Sequence, residues 1–311
     1  MAKVPKLGRI LRWAAALLLV AIAALALWLY APDKPRAALE TAYPGEYRTV
    51  LGLRLRLRDT GPRDAPALIL LHGFGSSLDT WEPWAEALSV KYRVIRLDLP
   101  GFGLTGPDPT GDYSDARTLA ILAGLMDQLG LPRATLIGNS LGGRFAWEFA
   151  TRYPQRVAKL VLISPDGFAS PGFEYGKAPE VPFVMNLMPW VGPRSLIRAN
   201  LAPAWARPDA LPDAVLERYR DMLLAPGVRR AILDRTRQTV ITDPAARLRS
   251  IGAPTLLLWG EQDHMIPVQN AQDYLRLLPN ARFVCLPGIG HVPFEEAPAA
   301  ALAPLERFLA Q

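Results

Sequence analysis

Residues 134–152 read Ala-Thr-Leu-Ile-Gly-Asn-Ser-Leu-Gly-Gly-Arg-Phe-Ala-Trp-Glu-Phe-Ala-Thr-Arg. The passage changes period in its middle. Ala134–Ile137 is a short apolar run of the length of a buried strand, and Leu141–Arg152 carries apolar residues at helical spacing. Between them Gly138-Asn139-Ser140-Leu141-Gly142 matches G-x-S-x-G. A strand, a sharp turn and a helix is the setting in which a serine hydroxyl is held up at the end of a sheet as a nucleophile. Small residues are needed there because the turn is strained and the helix starts close against the sheet.

On either side the same alternation continues. Apolar runs at 67–71, 94–97, 160–163, 255–259 and 282–286 are expected as strands. Residues 81–90, 115–129, 268–278 and 298–309 have helical spacing. Runs that are apolar on both faces suit central strands of a parallel sheet covered by helices. Residues 50–58 alternate apolar residues with Arg54, Arg56 and Arg58, which predicts one strand with a solvated basic face. The fold class is therefore α/β, a mostly parallel, doubly wound sheet. One stretch breaks the rhythm: nine prolines fall within residues 165–212, and short helices follow at 213–224 and 228–239. Residues 166–250 are expected to form an insertion that caps the sheet.

A serine needs a base to take its proton, and the base needs a carboxylate to fix its tautomer. The chain has three histidines, His72, His264 and His291. His291 follows the last strand-like run and precedes the final helix, which places it on a loop at the carboxyl end of the sheet. Asp263 follows the run 255–259, with Asp166 as the rival acid and Glu261 as a bystander. The order Ser140, Asp263, His291 is that of nucleophile, acid and base on this type of sheet. The oxyanion requires two N–H donors. The backbone N–H groups of Leu141 and of Phe74, in His72-Gly73-Phe74-Gly75, are the expected pair. His72, Gly73 and Asn139 are expected beside the pocket, His72 chiefly as a brace for its loop. No cofactor is required by this chemistry. One cysteine and three histidines leave no His/Cys metal cluster to build.

These pieces together, with Asp98-Leu-Pro-Gly-Phe-Gly103, Gly260-Glu-Gln-Asp263 and Gly290-His291, resemble the α/β-hydrolase superfamily over residues 45–311. The likeness is greatest to bacterial serine hydrolases and esterases with a helical cap. The resemblance implies a serine hydrolase acting through an acyl-enzyme on carboxylic esters. Relatives with aspartate at the elbow form an alkyl-enzyme ester; here that position is Ser140. Gly-Asn-Ser followed by two glycines also resembles the carbon–carbon bond hydrolases of aromatic ring cleavage. Those enzymes typically place tryptophan after the catalytic histidine, where this chain has Val292. An acyltransferase and a catalytically silent binding module on the same fold complete the alternatives.

The N-terminus adds a location. Trp13–Ala31 is 19 residues without a charge, about 28 Å as a helix, which matches the apolar thickness of a bilayer. Trp13, Trp28 and Tyr30 flank it at headgroup level. Lys3, Lys6, Arg9 and Arg12 precede it and carry +4 of the chain's net +6, so the remaining body is nearly neutral and lacks an electrostatic footprint for nucleic acid. Residues 1–31 thus read as a basic leader and single-pass anchor, with the N-terminus cytoplasmic and the catalytic domain periplasmic or otherwise extracytoplasmic. A cleaved signal peptide with Ala24 and Ala26 at an A-x-A site is the competing reading. Residues 32–44, opening on Pro32-Asp-Lys-Pro35, read as the exit linker. Substrates expected of such a protein are small-molecule or lipid esters; nothing in the sequence speaks to oligomeric state. Three further expectations concern single features. Arg144 forms a structural ion pair, Cys285 is a small core residue, and the apolar segment Val181–Val191 (Phe183, Met188 and Trp190 foremost) packs on the core, lines an acyl pocket or touches lipid.

Overall fold

The computed structural model describes residues 5–170 and 172–311; Lys3 of the basic leader lies outside them. A 25-residue helix, α1 (Pro5–Leu29), stands apart from the body, and α2 (Arg36–Ala42) follows. Eight strands form one sheet: β1 (Glu46–Val50), β2 (Leu53–Thr60), β3 (Ala67–Leu71), β4 (Arg93–Leu97), β5 (Ala134–Asn139), β6 (Val157–Ile163), β7 (Thr255–Gly260) and β8 (Ala281–Leu286). Their order across the sheet is β1-β2-β4-β3-β5-β6-β7-β8. The β1–β2 and β2–β4 pairs are antiparallel and the other five are parallel.

Between the strands run α3 (Glu82–Leu88), α4 (Asp115–Gln128) and α5 (Leu141–Arg152). The segment between β6 and β7 contains α6 (Arg194–Leu201), α7 (Asp213–Leu223), α8 (Val228–Gln238) and α9 (Ala245–Arg249). Three more, α10 (Ala271–Leu277), α11 (Pro293–Glu296) and α12 (Pro298–Leu309), close the chain. The five-residue run of β3 and all of β4, β5 and β7 are buried, as strands covered on both faces must be. Two apolar layers result. One joins Ile69, Leu136 and Leu162 to α4 and α5, and the other joins Leu70, Ile137 and Val161 to α3 and α12. This is the α/β-hydrolase architecture, a mostly parallel eight-stranded sheet preceded by one apolar helix.

The structure corrects three sequence expectations. Residues 50–58 are not one strand: Leu51 and Gly52 both take positive φ and turn the chain into the β1–β2 hairpin. The basic face of β2 is not solvated throughout. Arg56 is fully buried and holds Asp79 through two hydrogen bonds of 2.9 and 3.0 Å and Asp98 through one of 3.1 Å. Cys285 is exposed, because β8 is the edge strand and its burial is incomplete.

The stretch after α1 is bonded to the body. Lys34 N–H donates to Leu224 O at 2.8 Å, and the Lys34 ammonium pairs with Asp221. Arg229 Nη1 donates to Ala31 O at 2.7 Å and Nη2 to Asp33 Oδ1 at 2.6 Å. Leu39 of α2 lies in the core.

Candidate active site

Four chain segments converge at the carboxyl edge of the parallel strands, where the strand order reverses around β3 and ligand sites on such sheets form. The first is the turn from β5 to α5. Ser140 has φ 52° and ψ −119°, outside the regions open to L-residues without strain. Its N–H donates to Ile163 O, and its carbonyl accepts from Arg144 N–H and Asp166 N–H, each at 3.0 Å. These bonds hold the strained residue from both sides. The flanking glycines are required by close approach: a Cβ on Gly138 would lie 2.3 Å from Gly142 O, and one on Gly142 would lie 2.2 Å from Leu71 O. Leu141 is the first residue of α5, so its N–H has no acceptor within the helix.

The second segment is the loop after β3. Gly73 backs directly onto the elbow, since a Cβ there would meet Ser140 Cβ at 3.3 Å and Asn139 Oδ1 at 2.9 Å. Among the described residues the Phe74 N–H has no hydrogen-bond acceptor, while its ring stacks edge-on against Phe102 at 5.4 Å. His72 does not border a pocket with its side chain. It is fully buried, with Nδ1 on Gly73 O at 2.7 Å and Nε2 accepting Leu99 N–H at 2.9 Å. Burial pushes its imidazole below the ordinary range, which favours the neutral form this bonding needs. Asn139 likewise faces inward as a brace. Its amide donates to Ile163 O and to His291 O, both at 3.1 Å.

The third and fourth segments follow β7 and β8. His291 and Asp263 are both buried, and His291 Nδ1 lies 2.7 Å from Asp263 Oδ2. Asp263 Oδ1 accepts Met265 N–H and Ile266 N–H at 2.8 Å each. Burial alone would raise the Asp263 carboxyl; the His291 charge, its hydrogen bond and the backbone donor outweigh it and hold the group below the usual carboxylate range. The rival Asp166 turns to Arg144 at 3.2 Å, and Glu261 accepts Gly288 N–H. Arg144 is buried between Asp115 and Asp166, so it is an internal ion pair. His264 rests on the carbonyl of Ala206.

Two further supports were not foreseen from the sequence. Glu296 accepts Gly290 N–H at 2.7 Å and Ala206 N–H at 3.1 Å, and His291 N–H donates to Ala204 O at 2.7 Å. The loop carrying His291 is thereby tied to the insertion. A glutamate in the first turn of the helix after a loop histidine was the only available signal. Asp98, in the loop whose sequence reads as a structural turn near the pocket, accepts from Leu78 N–H, Leu104 N–H and Arg56 and so holds that loop. Of the expected pocket side chains, Met188 packs on the core. Phe183 and Trp190 face outward, 87% and 54% exposed. No group of three His, Cys, Asp or Glu side chains is placed to hold a metal ion among the described residues.

Residues 66–298 match the family described as the alpha/beta hydrolase fold. The chain belongs to that family. It is 31% identical over 261 residues, 77% of this chain and 85% of the relative, to a 2-hydroxy-6-oxononadienedioate/2-hydroxy-6-oxononatrienedioate hydrolase of Paraburkholderia phymatum. Among solved structures it is similar to a putative lipase from Acinetobacter baumannii, with a TM-score of 0.76 and 27% identity over 90% of this chain and 97% of that one. It is also similar to a bacterial membrane phospholipase A, with a TM-score of 0.72 and 28% identity over 98% of this chain and 97% of that one. All three are hydrolases, and this chain is an α/β hydrolase carrying one N-terminal helix long and apolar enough to cross a membrane, Gly8–Leu29.

Proposed function

We propose that this α/β hydrolase cleaves carboxylic esters, lipid-like ones among them, at the surface of a membrane to which α1 anchors it. The observation that carries the reading is the buried 2.7 Å pair of His291 and Asp263 beside a serine held in a strained elbow. Asp263 fixes the tautomer that leaves Nε2 of His291 free to act as base. Ser140 Oγ attacks the ester carbonyl and passes its proton to that nitrogen. The N–H groups of Leu141 and Phe74 receive the developing oxyanion. The C–O bond then breaks, the alcohol leaves with the proton from His291, and water releases the acid from Ser140 by the same steps in reverse.

The anchor and the phospholipase neighbour favour an ester. That neighbour is matched over 98% of the chain, whereas meta-cleavage hydrolase structures are matched over 86%. Positive charge before α1 favours a cytoplasmic N-terminus and an extracytoplasmic body. A second reading, hydrolysis of a carbon–carbon bond in a ring-cleavage product, has the Paraburkholderia relative behind it.

The test is fluorophosphonate labelling of the full chain in detergent, followed by peptide mapping and an ester panel of graded chain length. A single adduct on Ser140 is expected. Ser140→Ala should keep its circular dichroism and lose turnover by roughly 10⁴-fold or more. Retained turnover in Ser140→Ala overturns the reading, and turnover of a dienoate with none of any ester would move the second reading to the front.

A further inference from the structure

The segment Pro182–Val191 makes a short helical turn, Phe183–Trp190, in which no residue is buried. Met188 packs against the core, while Phe183, Val184, Met185, Leu187 and Trp190 all stand exposed. No charged residue occurs from Val181 to Val191. An outward apolar cluster of this size on a protein surface marks a contact with a partner or with lipid.

Its position says which. The turn is joined by main-chain bonds to the end of α1. Ala31 N–H donates to Trp190 O at 2.9 Å, Gly192 N–H donates to Leu29 O at 3.2 Å, and Tyr30 and Val191 form an antiparallel bridge. Arg229 closes the corner from beneath, with Nη1 on both Ala31 O and Val191 O. The exposed apolar helix α1 and the exposed apolar turn are therefore joined directly at residues 29–31 and 190–192. Trp190 is thus joined through its carbonyl to Ala31, next to Tyr30, and Trp28 and Tyr30 are residues of the kind that sit at the headgroup level.

We propose that Phe183–Trp190 is a second lipid contact, sunk into the near leaflet of the bilayer that α1 crosses. This rests on the anchor reading above. Two contacts joined by a rigid corner fix the tilt of the body, as a lone helix on a free linker would not. The insertion that lies on the membrane is also the one that holds the His291 loop, through Ala204 O and Ala206 N–H. The site is thus presented to esters whose acyl chains are still in the bilayer.

The experiment uses the full chain in phosphatidylethanolamine–phosphatidylglycerol vesicles, with Cys285→Ser removing the exposed native thiol. Single cysteines at Val184→Cys or Leu187→Cys carry an environment-sensitive fluorophore. Leu19→Cys in α1 and Val90→Cys, 74% exposed on the body, serve as controls. The expected result is quenching by nitroxide-labelled lipid at positions 19, 184 and 187 and none at 90. Quenching at 19 with 184 and 187 behaving like 90 overturns the second contact and leaves the anchor standing. No quenching at 19 overturns both. A blue-shifted but unquenched signal at 184 and 187 would mean that a second protein copy covers the turn, and also overturns it.

Discussion

Asn139 and Glu296 show how much of the site is built by residues that need touch no substrate. Each uses side-chain hydrogen bonds to fix the backbone around His291; Glu296 belongs to no recognisable motif, and Asn139 occupies a variable position of one. Ser140, Asp263 and His291 could be proposed as nucleophile, acid and base from the sequence because that chemistry restricts the residue types and the chain order. Their supports were not, since any polar side chain of suitable length can brace a carbonyl. Glu148 on α5 is a further case that only burial reveals. It is enclosed beside Asp115, and burial first, then that like charge, pushes its carboxyl up to about 7 despite Arg144 and Arg247. A carboxyl whose pKa is higher in the folded chain binds more protons there, so stability falls as pH rises from the unfolded value near 4.5 to about 7 and is flat above it. Glu148→Gln should therefore raise Tm at pH 8 and flatten the slope between pH 5 and 7 in thermal melts. An unchanged slope would place the proton elsewhere.

At the level of the element, the entry into α5 is governed by backbone contact. Gly142 has Leu71 O and His72 O within 2.5 Å of where a Cβ would stand, and backbone cannot move aside cheaply. Gly142→Ala should lower Tm by about 5 °C or more, whereas Gly252→Ala, with nothing within 4 Å of the added carbon, should leave it nearly unchanged. Differential scanning calorimetry of the two variants decides this. The same β5-to-α5 passage was readable in advance because period and glycine spacing agree. The β1–β2 hairpin was not. Its turn is only Leu51-Gly52, and the alternation of β2 looks identical whether its arginines meet water or, like Arg56, meet Asp79 and Asp98 brought from distant loops. The exposure of Cys285 likewise depends on β8 having a neighbour on one side alone.

Across the whole molecule, the end of α1 is coupled to the insertion more than to the sheet. Residues 29–34 bond to 190–192, 221, 224 and 229, so movement of the insertion and tilt of the helix are linked. Arg229→Ala removes a buried guanidinium whose acidic partner, Asp33, is partly exposed, so it leaves no charge sealed in the interior. Hydrogen–deuterium exchange should show faster exchange in residues 30–36 and 190–192, with β3, β5 and β7 unchanged. Equal protection in wild type and variant would mean that the corner is held by packing alone. The sequence by itself determined the alternating α/β order, the strand–turn–helix passage at Ser140 and the apolar N-terminal helix, because each is written in local period or in residue type. Tertiary structure alone decided that Arg56 is buried, that His72 and Asn139 face inward, that Glu296 clamps the His291 loop and that Phe183–Trp190 adjoins the end of α1. Those facts depend on which distant segments meet, and burial and pairing are properties of the meeting.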